Sequence, residues 1–392
     1  MVRLLNILPL IAVGRAFVLH PDLPSLLSDD DFETPLPLVI WHGLGDNYAA
    51  DGLAQIAELA DEANPGTFVY TVRLDEDPSA DRTATFFGNL TLQIDKVCED
   101  LASHPILSTA PAIDALGFSQ GGQFLRAYVE RCNSPPVRSL VTFGSQHNGI
   151  SEFQACGATD FVCKGAQALL RSNTWSTFVQ SRLVPAQYFR DPAQYDQYLE
   201  NSNFLADINN ERLLKNQTYK ANLEKLEKFV MYVFDDDTTV VPKETGWFSE
   251  VNGTEVIPLR ERAIYTEDWI GLKTLDKKGA LEFKSTEGGH MTLSDKLLRS
   301  VFKESYGPMK KNQSIPPGLQ SLTYQQSLKL LEEKNKARLS EETLRAAEKS
   351  GELKVDDASE KLVREMRKKL VEQANNFAMR VQREHGPMQE EL

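Results

Sequence analysis

The chain has 392 residues, 41% of them hydrophobic, and 56 acidic against 43 basic side chains give it a formal net charge of −13. A surplus of that sign excludes a surface built to track phosphate backbones, so no nucleic-acid partner is expected, and no G-x-x-x-x-G-K phosphate loop is present. Four cysteines without a CxxC or Cys/His cluster leave no zinc-type ligand set, so neither a metal nor another cofactor is expected.

Residues 1–16 carry one early cation, Arg3, an apolar run from Leu4 to Val13, and the small residues Gly14 and Ala16 before a cleavable bond. That is the pattern of a signal peptide. The run is shorter than the roughly 20 apolar residues of a bilayer-spanning helix, so a soluble chain with no transmembrane segment is expected on the secretory route. The sequons at Asn89, Asn216, Asn252 and Asn312 are glycosylation candidates on that route. Cys98, Cys132, Cys156 and Cys163 make an even count that an oxidising compartment turns into disulfides, with three pairings open.

From Leu38 to about Phe302, apolar strands alternate with helical patterns, which reads as one α/β unit. The first strand, Leu38 onward, breaks into Trp41-His42-Gly43-Leu44-Gly45-Asp46, either a plain glycine turn or a loop that offers backbone N–H groups. Ile113, Ala115 and Leu116 predict a short buried strand, Gln123 to Arg131 a helix, and Gly117-Phe118-Ser119-Gln120-Gly121 lies between them. G-x-S-x-G at a strand-to-helix turn is the nucleophile elbow of the α/β-hydrolase fold, in which a strained turn exposes the serine hydroxyl. The motif alone is a weak signal, because an inert serine in a glycine-rich turn reads the same way.

A hydroxyl is a poor nucleophile at neutral pH, so a working Ser119 needs an imidazole to take its proton and a carboxylate to orient that imidazole, in the chain order acid then histidine. The segment from about 151 to 228 interrupts the strand rhythm with helical, aromatic-rich stretches, the position of a cap over the site. Tyr195, Tyr198 and Phe204 there either line an apolar groove or fill the insertion's own core. The strand Phe229–Phe234 runs into Asp235-Asp236-Asp237, and one of the three is the expected acid. The strand Ala280 to Phe283 leads to Thr286-Glu287-Gly288-Gly289-His290, where the histidine is expected; His385 sits in a charged tail and is a poor candidate. The residue after the serine, Gln120, is expected to supply one oxyanion amide and the His42–Asp46 loop the other. Beyond Tyr306, prolines 308, 316 and 317 form a linker, and residues 322–383, rich in Lys, Glu, Arg and Ala, predict one or two exposed helices. Residues 307–392 therefore read as a solvated helical extension or as a docking segment for an unidentified partner.

The chain resembles the lysosomal palmitoyl-protein thioesterases. The resemblance rests on Pro37–Gly43 with Gly45-Asp46, on Gly117–Ala127, on Phe204–Asn209, on Phe229-Val230-Met231, on Trp247-Phe248 and on Thr286–His290. It spans about residues 35–306 and implies an α/β-hydrolase with a mostly parallel central sheet and a helical cap. It further implies Ser119 as nucleophile, His290 as base, Asp237 as the acid, the amides of Leu44 and Gln120 as oxyanion donors, and disulfides Cys98–Cys132 and Cys156–Cys163. The implied activity is hydrolysis of the thioester between a palmitoyl group and a cysteine of S-palmitoylated proteins or peptides, in a lysosome or vacuole or after secretion. The alternatives are a lipase or carboxylesterase acting on oxygen esters and a silent glycoprotein that binds lipid or acyl-cysteine.

Overall fold

The computed structural model describes residues 34–152 and 173–309. In chain order the strands are β1 (Leu38–Trp41), β2 (Val69–Thr71), β3 (Ile113–Phe118), β4 (Val137–Phe143), β5 (Lys228–Phe234), the hairpin pair β6 (Glu250–Asn252) and β7 (Glu255–Ile257), and β8 (Leu281–Thr286). All but the hairpin form one parallel sheet in the order β2-β1-β3-β4-β5-β8. A parallel sheet is covered on both faces, so its strands read as continuous apolar runs rather than alternating ones. β1 (LVIW) is buried at every position and β5 at every position after Lys228.

Side chains of a strand alternate between faces, and the two faces feed separate clusters. Val39, Trp41, Ile113, Ala115, Phe229 and Met231 pack with α3 (Leu90–Ser103) and α4 (Gln120–Arg131), whereas Leu38, Ile40, Leu116, Val230 and Tyr232 pack under α1 (Asp51–Ala63) and the helix Asp295–Ser305. Between α1 and α3 lies the short α2 (Pro78–Ala84). Helix α3 shows why such segments form: Leu90, Ile94, Val97 and Leu101 make a buried stripe at helical spacing. Asn89 caps it, its Oδ1 accepting from Leu92 N at 3.4 Å, and the chain leaves the helix at His104, ahead of Pro105.

Helix α4 begins at Gln120, earlier than Gln123, the start suggested by the sequence. Gly121 and Gly122 lie inside its first turn because that turn is pressed against the sheet. A Cβ on Gly121 would overlap the carbonyl oxygens of Trp41 and His42, and one on Gly117 would overlap the backbone of Gly122. In the insertion, Tyr198 and Phe204 are fully buried and lie in the core, and Tyr195 packs against it. The tyrosine hydroxyls of 195 and 198 donate to Glu211, which also pairs with Arg190. These aromatics fill the insertion and none of them reaches the cleft described below.

Cys98 on α3 and Cys132 after α4 form a disulfide with Cα atoms 6.0 Å apart, across a sequence separation of 34. A loop of that length corresponds to about 4 kcal/mol in the chain-entropy account of cross-linking. Replacing both cysteines by serine is expected to lower stability by roughly that amount, read as a lower denaturant midpoint with a steeper slope, because the chain without the cross-link exposes more surface when unfolded. Cys156, Cys163, Asn312, residues 1–16, which the sequence reads as a signal peptide, and residues 310–392 of the tail lie outside the described residues. Among the described residues no helix is long and apolar enough to cross a membrane.

Candidate active site

Ser119 sits between the end of β3 and the first residue of α4, with φ 52° and ψ −128°. A non-glycine residue at positive φ stores about 1–3 kcal/mol of strain. The flanking packing holds it there: Ser119 N donates to Phe143 O at 2.8 Å, and the residue is only 8% exposed, at the floor of a cleft. Its Oγ lies 3.1 Å from Nε2 of His290, and Nδ1 of that ring lies 2.7 Å from Oδ2 of Asp237.

Each partner arrives at the end of a neighbouring strand, Asp237 after β5 and His290 after β8. The two loops are joined through the backbone, with Asp235 N donating to Thr286 O and Asp236 N to Gly288 O. Of the three consecutive aspartates only Asp237 is buried; Asp235 and Asp236 are exposed. Oδ1 of Asp237 accepts from Thr239 N at 2.8 Å and Val240 N at 3.0 Å, leaving Oδ2 for the imidazole. Burial by itself raises this carboxyl, but the hydrogen bonds from His290, Val240 and Thr239 outweigh it and hold Asp237 below the ordinary carboxylate range. Phe234 presents an edge contact to the His290 ring, with centroids 5.9 Å apart.

The loop after β1 closes the site from the other side. A Cβ placed on Gly43 would lie 3.1 Å from Ser119 Cβ, and Leu44 lines the same cleft as Ser119. Gln120 is the first residue of α4, whose first N–H groups have no intrahelical partner and lie at the positive end of the helix dipole. Its side chain is occupied, with Nε2 donating to Thr85 O and Oε1 accepting from Tyr188 OH, so only the backbone N–H is left to face a ligand.

The cleft has a volume of about 540 Å³, within the usual range for small-molecule sites. Leu53 and Ile56 of α1 line one part of it, Pro185 and Tyr188 of the insertion another, with Phe86, Ile150, Val240 and Met291 between. An apolar trough that ends on a hydroxyl and an imidazole suits an acyl chain whose carbonyl must be attacked.

One feature of the site has no sequence signal. His42 and Asp81 are both buried and meet at 3.0 Å, although 39 residues separate them. Asp81 also accepts from Leu74 N and Tyr48 N. Burial raises its carboxyl, but the bonds from His42, Leu74 and Tyr48 prevail and hold it below its ordinary value. A carboxyl whose folded pKa is depressed stabilises the fold above its unfolded pKa, near 4, and loses that contribution as pH falls through the folded value. Acid unfolding of wild type is therefore expected to steepen below about pH 4. In Asp81→Asn the melting temperature is expected to be lower at pH 6 and to depend less on pH below that range, as thermal melts across pH 2–6 would show.

Residues 37–290 match the family model described as palmitoyl protein thioesterase. Palmitoyl-protein thioesterase 1 of Caenorhabditis elegans is 36% identical over 275 residues, covering 69% of this chain and 91% of the relative. Palmitoyl-protein thioesterase 3 of Dictyostelium discoideum is 34% identical over 258 residues, covering 65% and 84%. A lysosomal thioesterase PPT2 homolog of Drosophila melanogaster is 30% identical over 257 residues, covering 62% and 82%. The segment matched takes in β1 through His290, so the sheet, the elbow and both partner loops fall within it, and the chain belongs to the palmitoyl protein thioesterase family.

Proposed function

We propose that this chain hydrolyses the thioester between a long-chain fatty acyl group, such as palmitoyl, and a cysteine side chain of a protein or peptide. The observation that carries the reading is the Ser119–His290–Asp237 chain of contacts on the floor of an apolar cleft. Ser119 Oγ attacks the thioester carbonyl carbon while His290 Nε2 takes its proton, and Asp237 stabilises the imidazolium that forms. The amides of Leu44 and Gln120 hold the oxyanion. Collapse of the tetrahedral intermediate breaks the carbon–sulfur bond, and the His290 proton goes to the departing thiolate. A water that gives its proton to His290 then attacks the acyl-serine, and the fatty acid leaves as Ser119 recovers the proton. Each methylene buried in the trough contributes about 0.8 kcal/mol to binding.

The segment between β4 and β5 acts as the cap, and its Pro185 and Tyr188 in the cleft wall support that role. Placement in a lysosome or vacuole, or secretion, is supported by the name of the Drosophila melanogaster relative, by the disulfide, and by Asn216 and Asn252, which are exposed. Asn89 is half-buried, but it caps α3 through Oδ1, which leaves Nδ2 for a glycan. The test is a pair of isosteric substrates, palmitoyl-cysteine thioester and its oxygen ester. Release of thiol with the oxygen ester spared is the expected result; equal turnover would point to a general carboxylesterase, and silence on both to a binding protein.

A further inference from the structure

We propose that His42 is a positioning residue for the oxyanion donor: braced by Asp81, its ring holds the Gly43 carbonyl and thereby orients the Gly43–Leu44 peptide toward Ser119. The inference rests on the reading of Leu44 N–H as an oxyanion donor. Nε2 of His42 lies 3.0 Å from Asp81 Oδ2, and Nδ1 lies 3.2 Å from Gly43 O. Both partners are oxygen atoms that can accept from the ring, which therefore sits between them.

Gly43 O belongs to the same peptide unit as Leu44 N–H. In a trans peptide the two point in opposite directions, so a donor that fixes the carbonyl from behind fixes the direction of the N–H in front. The same loop presses on the nucleophile, since a Cβ on Gly43 would come to 3.1 Å from Ser119 Cβ. Among the described residues Leu44 N–H meets no acceptor. A hydrogen bond to a peptide carbonyl also polarises its N–H and makes it a stronger donor.

The bracing comes from α2. Asp81 holds both His42 and Tyr48 N, Arg82 Nε donates to Gly45 O at 2.8 Å, and Gly45 N donates to Thr85 Oγ1 at 2.9 Å. These bonds pin both ends and the middle of the loop. A buried polar pair is by itself weak evidence of a role in stability, because apolar residues of similar volume often serve as well. What the pair supplies is a fixed direction.

The test uses His42→Gln, whose amide nitrogen reaches the place of Nε2 and keeps Asp81 but leaves Gly43 O with only the longer bond, 3.4 Å, from Asp46 N. Turnover of palmitoyl-cysteine thioester is expected to fall about 10- to 100-fold in kcat, somewhat less than the loss of a whole oxyanion donor, with KM nearly unchanged. Affinity for a long-chain alkyl trifluoromethyl ketone, which adds Ser119 to form an oxyanion, should fall by the same factor while affinity for palmitate stays constant. Wild-type kcat in His42→Gln, or equal losses for ketone and palmitate, would overturn the proposal. If His42→Gln does not fold, His42→Asn, which keeps a donor toward Gly43, is compared with His42→Ala. The proposal expects at least a tenfold advantage in kcat for asparagine, and parity overturns it. Preference of wild type for oxygen esters would count against the thioesterase reading alone, since the ketone measures an oxyanion common to both reactions.

Discussion

Ser119→Ala is expected to cut thioester turnover by about a millionfold, because a triad loses nearly all of its effect when its nucleophile is removed. Stability should change by less than about 0.5 kcal/mol. The hydroxyl makes one side-chain bond, to His290, and the backbone at φ 52° is held by packing that alanine does not disturb. Palmitate should bind the variant as it binds wild type, since the cleft walls are untouched. The measurement is thiol release together with labelling by a long-chain fluorophosphonate: wild type should be labelled and the variant should not. A variant that still turns over within tenfold of wild type would remove Ser119 from the nucleophile's role.

Asp237→Asn is expected to lower kcat by about 10⁴-fold through the tautomer of His290 rather than through its position. Thr239 N and Val240 N both donate to Oδ1, so an asparagine must turn its carbonyl oxygen toward them and its NH₂ group toward the imidazole. Nδ1 then accepts instead of donating, the proton moves to Nε2, and Nε2 no longer takes the proton of Ser119. KM should change little. Asp236→Asn, at the exposed neighbour, is the control and should leave kcat within about twofold. Equal losses in the two variants would show that the loop's charge matters rather than the contact with His290.

How far the site was legible follows from the range of the forces that make it. The elbow could be read locally, because a strained serine between a strand and a helix needs glycines at fixed offsets in one short stretch. The choice among Asp235, Asp236 and Asp237 could not, except by family resemblance. It depends on which carboxylate the turn after β5 buries and on a histidine 53 residues further on. The start of α4 was misplaced because Gly121 and Gly122 look like loop residues. They are helical glycines required by the close approach of β1 to Gly121 and of Thr142 in β4, with Ser145 after it, to Gly122. The aromatic residues of the insertion illustrate the opposite limit, since Tyr198 and Phe204 have the same composition whether they face an acyl chain or one another.

The amino-acid sequence by itself determined the alternation of buried strands and amphipathic helices, the elbow at Ser119, and the loop at Gly43 and Gly45. Each of these is written in contiguous residues whose hydrophobicity or conformational freedom acts on the backbone they belong to. Only the tertiary structure decided which aspartate meets His290, which residues line the cleft, and that Asp81 reaches His42 beneath the loop. Those are contacts between side chains distant in the chain, set by how the parallel strands align their ends and by the helices packed across them.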